Sequence, residues 1–288
     1  MARTGLERVL VVVPHCSEHV PYDIAVAMLG KERVTAQDRR DLERRHFLES
    51  DPYTDQLFHL AGATHMYATV SRFVVDLNRA ADDTTANGVV KNTDFAGNQL
   101  YPPGARPDRT EQRRRVSRYW TPFHRQIDQQ LGTGSFDLLV DAHSMQPTGP
   151  LLGPDQGRPR PAFNLGTLGA DDGECVPGRG WVSLPAAMAR ELAARLDAYA
   201  SDLLERWPAD ARRVTLNEPF SGGDTLRTYC DPGRDDPVAG IAIEINRALY
   251  LDARGRPKWP EIERLNQAMR ALVADAVKAV RTARPAPM

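Results

Sequence analysis

Three short apolar runs constrain the fold of this chain more than any other feature of its sequence. They span residues 8–13, 136–140 and 238–243 and are rich in valine, leucine and isoleucine. Runs of this length and composition are typical of strands that are buried on both faces of a sheet covered by helices. The sequence therefore predicts a buried sheet with these three runs among its strands.

A polar residue follows each run. His15 comes just after the first, Asp141 and His143 after the second, and Glu244 directly after the third. Ligands of open α/β sheets bind outside the carboxyl ends of the strands. We therefore predict a functional site where these ends meet.

Helical patterns lie between the predicted strands and indicate an α/β fold with a mostly parallel sheet. We expect a single domain over 1–280 and a disordered tail over 281–288. Proline-rich and glycine-rich stretches at 101–107 and 148–161 are predicted to be loops within that domain. Apolar residues recur at helical spacing in three segments: 109–131, 184–207 and 262–280.

Composition and charge exclude several classes of protein. The chain has 288 residues, of which 41% are hydrophobic and 26% charged, which is typical of globular proteins and not of disordered or membrane ones. A net charge of -1 provides no field that would attract nucleic acid or an acidic membrane. The arginine-rich stretch at 106–118 also contains acids, so we interpret it as a solvated helix face. We expect neither a nucleic-acid partner nor a membrane partner.

The cysteines and the first apolar run indicate a cytoplasmic enzyme. Cys16, Cys175 and Cys230 are scattered and show no Cys-x-x-Cys spacing, which argues against a disulfide framework or a zinc ribbon. The first run is too short to cross a membrane, and Pro14 ends it where a signal peptide would continue. Reduced thiols are expected.

His15 and Glu18 form a His-x-x-Glu pattern directly after a buried strand. Catalytic zinc sites commonly take three protein ligands from histidine and carboxylate side chains and leave a fourth position open. His143 is the candidate third ligand, and Asp141 could orient one of the histidines because residues two apart on a strand share a face. Cys16 and His19 are further candidate ligands beside this pattern.

A second constellation begins at Arg72 and surrounds a short apolar stretch that we predict to be a strand. A guanidinium and a neighbouring amide suit a carboxylate, so Asn78 and Arg79 are interpreted as a clamp for a substrate carboxylate, and Arg72 as a group that polarises a carbonyl. Asp76 lies between Arg72 and Arg79 in the sequence and could form a structural ion pair with one of them.

These blocks, in this order, resemble the N-formylglutamate amidohydrolase family from about Pro14 to Leu251. The most specific of them are Asp76-Leu77-Asn78-Arg79, Asp141-Ala142-His143-Ser144, Glu218-Pro219-Phe220-Ser221-Gly222-Gly223 and Glu244-Ile245-Asn246-Arg247…Leu249-Tyr250.

The resemblance implies a fold and a mechanism. The fold would be three-layer α/β/α with a mixed, mostly parallel sheet, similar to that of zinc carboxypeptidases. One zinc ion per protomer, or another divalent transition metal such as Mn, Fe or Co, would be held by His15, Glu18 and His143. Glu244 would act as general base toward a zinc-activated water, and Arg72 would stabilise the oxyanion. The expected reaction is removal of an N-formyl group from an acidic amino acid.

The sequence leaves alternatives open for the third metal ligand, the recognition of the γ-carboxylate, the substrate and the mechanism. Many family members have His-Ser-Gly where this chain has His15-Cys16-Ser17-Glu18-His19. Either Glu18 or His19 could therefore complete the metal site. The γ-carboxylate could be recognised by Arg227 or Lys91. The substrate could instead be another N-acyl amino acid or a peptide, cleaved by a zinc-dependent deacylase or carboxypeptidase. A metal-independent cysteine amidase, with Cys16 as nucleophile, is the rival outside the metallohydrolases.

Overall fold

The computed structural model describes residues 5–283 and forms a mixed, mostly parallel sheet between helices, as predicted. The strand order is β2-β1-β3-β6-β4-β5. β1, β2, β3 and β6 are mutually parallel, whereas β4 is antiparallel to β6 and parallel to β5. The strands are β1 (Val9–Val13), β2 (Thr64–Tyr67), β3 (Leu138–Met145), β4 (Phe163–Gly166), β5 (Val214–Leu216) and β6 (Ala239–Asn246).

Helices cover both faces of this sheet. The helices are α1 (Tyr22–Leu29), α2 (Ala36–Glu49), α3 (Thr54–Leu57), α4 (Arg109–Arg115), α5 (Thr121–Leu131), α6 (Ala186–Tyr199), α7 (Ser201–Leu204), α8 (Asp224–Tyr229) and α9 (Trp259–Ala283). Apolar side chains of α3, α6, α7 and α9 pack on one face, and those of α1, α2, α5 and α8 pack on the other.

Two of the three predicted helices are divided in the structure. A π-helical turn, Val116–Trp120, separates α4 from α5, and Ala200 separates α6 from α7. The third prediction corresponds to α9, which continues into the segment expected to be a disordered tail. Arg281 lies in this helix and donates to Asp137 at 2.7 Å. Residues 284–288 lie outside the described part of the chain.

The second and third strands extend further than their apolar runs suggest. β3 continues to Met145 and β6 to Asn246, because the two strands stay paired in register to their ends. His143 is opposite Glu244 in that register. Side chains alternate between the faces of a strand, so Asp141, His143 and Glu244 lie on the face that carries α1, α2, α5 and α8.

The predicted strand after Arg72 is instead a series of turns. The amide of Val74 donates to Ser71 O at 2.8 Å, and that of Asp76 donates to Val89 O at 2.7 Å. These contacts satisfy the buried backbone without a neighbouring strand. The interpretation of 106–118 as a solvated face is wrong for Arg115, which is 1% exposed and donates to Tyr101 Oη.

None of the described helices has both the length and the apolar character needed to span a bilayer.

Candidate metal centre and active site

Three buried side chains converge at the carboxyl ends of β1 and β3. One ligand atom each from His15, Asp51 and His143 lies within 4.8 Å of the other two. His15 follows β1, His143 is on β3, and Asp51 follows α2. Two imidazole nitrogens and one carboxylate oxygen form a donor set suited to a divalent transition metal such as zinc.

A carboxylate holds the far side of each imidazole. Nε2 of His15 donates to Asp76 Oδ1 at 2.8 Å, and Nε2 of His143 lies 2.9 Å from Asp141 Oδ1. The contact with Asp76 assigns the proton of His15 to Nε2, and both Nδ1 atoms face Asp51, that of His143 at 3.0 Å from Asp51 Oδ2. Metal-binding histidines commonly have this arrangement, in which the outer carboxylate sets the tautomer and the ring orientation.

The polar contacts of the group fit a bound cation. Nδ1 of His15 is buried and has no hydrogen-bond partner among the described residues, although it lies 3.4 Å from Asp51 Oδ2. Burial lowers the pKa of His143, but Asp141 and Asp51 outweigh it and raise that pKa well above its usual value. The surrounding carboxylates therefore stabilise positive charge at this position.

The structure corrects the predicted position of Glu18. Its side chain is exposed and lines a second, open pocket together with Cys16 and His19, so it is not part of the group around His143. The turn after β1 directs residues 16–19 away from His15. Asp51 provides the carboxylate at the position that the sequence analysis assigned to Glu18.

The residues after β6 hold Asp51 in place. Arg247 donates through Nε to Ser144 Oγ at 3.2 Å and through Nη2 to Ser50 O, which ties the segment before Asp51 to the end of β3. Tyr250 Oη donates to Pro52 O at 2.9 Å on the other side of Asp51. Arg247 is therefore engaged with this segment instead of pairing with Glu244.

Arg72 and Lys91 neutralise the inner carboxylates. Arg72 lies 2.9 Å from Asp76 and 3.3 Å from Asp51, and it lines the main cavity. The structural ion pair considered for Asp76 is therefore present. Lys91 is 1% exposed and lies 3.0 Å from Asp76 Oδ2. Burial lowers its pKa to about 8, and its position behind Asp76 keeps it out of the cavity lining.

Glu244 lines the same cavity, which has a volume of about 290 Å³. Burial raises the pKa of Glu244 to about 7, and the nearby Asp51 and Asp141 act in the same direction against His143 and Arg160. A carboxylate with such a pKa can accept and return a proton near neutral pH.

Asn78 has other partners than those predicted. Its Nδ2 donates to Asp141 Oδ2 at 3.0 Å, and its Oδ1 accepts hydrogen bonds from the amide and hydroxyl of Thr225 at 2.8 and 3.0 Å. A Cβ at position 223 would lie 2.3 Å from this amide, so Gly223 is needed for the close approach. Asn78 thus contacts Asp141, and because it also lines the main cavity, its binding of a substrate carboxylate stays a prediction.

Arg79 and Arg227 lie at one end of the cavity. They line a side pocket of about 280 Å³, which also contains Asp83 and Asp224 and shares Asn78, Arg79 and Asn87 with the main cavity. Nε of Arg79 donates to Asn87 O at 3.1 Å. Burial lowers the pKa of Arg227, and Arg179 and Arg79 lower it further. The charges of this side pocket are therefore mixed, and of its two arginines Arg79 is the one that also lines the main cavity.

Cys16 is poorly placed for nucleophilic catalysis. Its thiol donates to Val13 O at 3.5 Å, and it lines the second pocket instead of the cavity with His143. Burial raises its pKa to about 12. Since the thiolate is the reactive form, these surroundings disfavour the cysteine amidase interpretation.

Comparison with known proteins identifies the family. The sequence profile of the N-formylglutamate amidohydrolase family matches residues 7–251. An N-formylglutamate deformylase of Pseudomonas aeruginosa is 32% identical over 275 residues, which cover 91% of this chain and 90% of the relative. The chain belongs to the N-formylglutamate amidohydrolase family.

Further members and solved structures agree with this assignment. An N-formylglutamate deformylase of Pseudomonas putida is 30% identical over 222 residues, or 73% of each chain. The crystal structure of an N-formylglutamate amidohydrolase from Ralstonia eutropha has a TM-score of 0.65 at 20% identity, covering 96% of this chain and 95% of its own. A protein of Agrobacterium tumefaciens has a TM-score of 0.59 at 20% identity, covering 95% and 92%. These two structures support the fold.

Sequence reasoning did not find Asp51 in this amidohydrolase-family site. Asp51 follows a helix, is not next to any apolar run, and precedes Pro52 as an ordinary turn residue would. Asp76 was found only as an ion-pair candidate, although its second oxygen holds Lys91 and its first holds His15. Only the tertiary structure brings these carboxylates to the histidines.

Proposed function

We propose that this chain is a metal-dependent amidohydrolase that removes the formyl group of N-formylglutamate. One observation supports it most. The His15, Asp51 and His143 group lines the same cavity as Glu244 and Arg79. Two relatives of this length carry the name N-formylglutamate deformylase, which supports the same substrate.

The metal we propose is one zinc ion per chain, with Mn, Fe or Co as alternatives. His15 and His143 would bind it through Nδ1, and Asp51 through a carboxylate oxygen. Zinc acts as a Lewis acid toward water and toward the oxygen of an amide carbonyl. Asp76 and Asp141 would hold the two rings in the binding tautomer.

Two arginines would recognise an acidic amino acid. The Nη1 and Nη2 atoms of Arg79 have no hydrogen-bond partner among the described residues, so they are available for the α-carboxylate. Arg227 lines the adjoining side pocket and would bind the side-chain carboxylate. Lys91, the other candidate for that role, is occupied by Asp76 and the Asn87 carbonyl.

Glu244 would provide the acid-base chemistry. It takes a proton from the water that attacks the formyl carbon, and it returns that proton to the nitrogen as the C–N bond breaks. The products are formate and glutamate. Arg72 lines the cavity beside Asp51 and would stabilise the developing oxyanion.

The test combines metal analysis with substrate selection. We expect purified protein to hold about one zinc per chain, to hydrolyse N-formylglutamate, and to lose turnover on chelation and regain it with added zinc. Equal turnover in metal-free protein would contradict the proposal. A preference for N-acetyl amino acids or peptides would instead favour a deacylase or a carboxypeptidase acting through the same residues.

The cysteine alternative has its own control. Cys16→Ser should leave zinc content and turnover close to those of the wild type, because the thiol lies outside the cavity. His143→Ala should abolish metal binding. Loss of turnover in Cys16→Ser with the metal still bound would favour the cysteine amidase.

A further inference from the structure

The main chain that carries Asn78 and Arg79 is irregular, yet side chains from other elements hold its carbonyl groups. Nε1 of Trp120 donates to Arg79 O at 2.9 Å, and Nε2 of His124 contacts Leu77 O at the same distance. Two carbonyls on either side of Asn78 are thus bound by neighbouring side chains on one helical segment. A turn without strand partners depends on such contacts for a defined conformation.

The two donors form a rigid pair. The rings of Trp120 and His124 stack with centroids 3.8 Å apart and planes inclined by 21°. His124 is 3% exposed, and burial lowers its pKa to about 4, so it is neutral at pH 7. Leu77 O is an acceptor, which assigns the proton of this imidazole to Nε2. Nδ1 is then free to accept a hydrogen bond.

Tyr229 completes the arrangement from the last residue of α8. Its hydroxyl lies 2.8 Å from Nδ1 of His124 and 3.2 Å from the carbonyl of the same residue. Near the other end of α8, Thr225 donates to Asn78 Oδ1. This helix therefore contacts the segment directly at one end and through His124 at the other. Arg227 lies between these contacts on the same helix.

The π-helical turn accounts for the position of Trp120. In this turn the amide of Thr121 donates to Val116 O, five residues earlier, so the helix contains a wider turn directly before α5. Such turns shift the side chains that follow relative to a regular helix and occur frequently at functional sites. Trp120 and His124 are four residues apart and so share one helix face, which here is the face toward Leu77 and Arg79.

We propose that Trp120, His124 and Tyr229 are positioning residues, which fix the main chain of 77–79 and thereby direct the Arg79 guanidinium at a substrate carboxylate. None of the three lines the main cavity or the side pocket with Arg227. They act through the backbone and not through substrate. The inference rests on the proposed role of Arg79 in carboxylate recognition.

Trp120→Phe tests the proposal, because it removes one N–H donor and keeps an aromatic ring beside His124. We expect KM for N-formylglutamate to rise roughly 3- to 10-fold, the effect of losing one hydrogen bond, with little change in kcat or metal content. The α-amide of the same substrate should show a smaller change. Trp207→Phe is the matched control, since that indole donates to Arg212 O at 3.1 Å and neither residue lines the main cavity.

A conservative pair at position 124 separates positioning from folding. Glutamine can place an amide N–H near the Nε2 position of His124, whereas leucine cannot donate. His124→Gln should therefore retain more of the wild-type KM than His124→Leu. Equal effects of the two substitutions on KM, or a fall in kcat and metal content with KM unchanged, would overturn the proposal.

Hydrogen exchange supplies a measurement that needs no substrate. Amides of a peptide covering 74–82 should exchange faster in Trp120→Phe than in wild type or in Trp207→Phe. Unchanged exchange in this peptide would overturn the proposal. If the wild type fails to hydrolyse N-formylglutamate, the proposed function is contradicted, and the exchange measurement still decides whether Trp120 orders the segment.

Discussion

At the scale of single residues, the charge state of each group at the centre depends on its neighbours. Burial opposes ionisation of Asp51, but the neighbouring His143, His15 and Arg72 outweigh it and keep its pKa well below the usual value. At Glu244 burial outweighs the opposing charges of His143 and Arg160 and raises the pKa to about 7. Two carboxylates in one cavity thus have opposite pKa shifts, which agrees with the proposed roles of Asp51 as metal ligand and Glu244 as base.

Substitution of Glu244 tests the base. Glu244→Gln keeps the size of the side chain but cannot accept a proton, so kcat should fall by roughly 10² to 10⁴ while zinc content stays the same. Since the base acts in its deprotonated form, wild-type kcat/KM should fall as the pH drops below about 7. This acid limb should disappear in the variant. An unchanged kcat would exclude Glu244 as the base.

Substitution of the two arginines tests carboxylate recognition. Arg79→Met should raise KM for N-formylglutamate and reduce kcat/KM by about 2–4 kcal/mol, but it should affect the α-amide much less. Arg227→Met should behave in the same way with N-formylglutamine as the neutral comparison. Steady-state kinetics of the wild type and of each variant, on N-formylglutamate and on the matching neutral analogue, measures these changes. Equal losses on acid and amide would mean that the arginine supports the fold or the metal centre.

At the scale of elements, α2 brings Asp51 to the histidines. Thr35 caps the start of this helix by accepting a hydrogen bond from the amide of Asp38, and the helix ends at Glu49. His46 near its end is 2% exposed and packs on Phe73, with ring centroids 4.8 Å apart. The end of α2, next to Asp51, is thus packed against the protein through a buried histidine.

His46→Leu tests how this contact affects stability. Burial lowers the pKa of His46 in the folded protein to about 3. As the pH falls below about 6.5, the unfolded chain binds this proton first, so the free energy of unfolding decreases by about 1.4 kcal/mol per pH unit until the folded-state pKa is reached. His46→Leu should reduce this dependence, as measured by urea unfolding at pH 7 and pH 5. An unchanged pH dependence would contradict the assignment.

At the scale of the whole molecule, the candidate metal centre joins segments that are distant in the sequence. His15 follows β1, Asp51 follows α2, and His143 is in β3. Arg247, beyond β6, connects the second segment to the third. A ligand that binds all three segments stabilises the folded state relative to an unfolded chain in which they are separate.

Chelation should therefore lower the stability of the protein. Zinc at 100 times its Kd adds about 2.7 kcal/mol to the free energy of unfolding. Urea unfolding with and without a chelator measures this difference in the wild type. His143→Ala is the control, because it should unfold in the same way under both conditions. A chelator effect of equal size in that variant would place the metal elsewhere.

The sequence by itself determined the buried strands and much of the chemistry at their ends. Apolar runs bounded by polar residues predicted β1, β3 and β6 and a site at their carboxyl ends, whereas the position of Glu244 opposite His143 depends on the pairing of β3 with β6. These strands could be predicted from local patterns, because an unbroken apolar run is typical of a strand that is buried on both faces. The family could also be recognised at this level, because its motif blocks are contiguous.

The tertiary structure alone decided which carboxylate joins the histidines. Glu18 is three residues from His15 in sequence, but the turn after β1 directs it to another pocket, and Asp51 arrives from the end of a helix. It also decided that Asn78 holds Asp141. Irregular segments have no side-chain period that reports their direction, so the positions of their polar groups depend on long-range packing and hydrogen bonds that a local pattern does not encode.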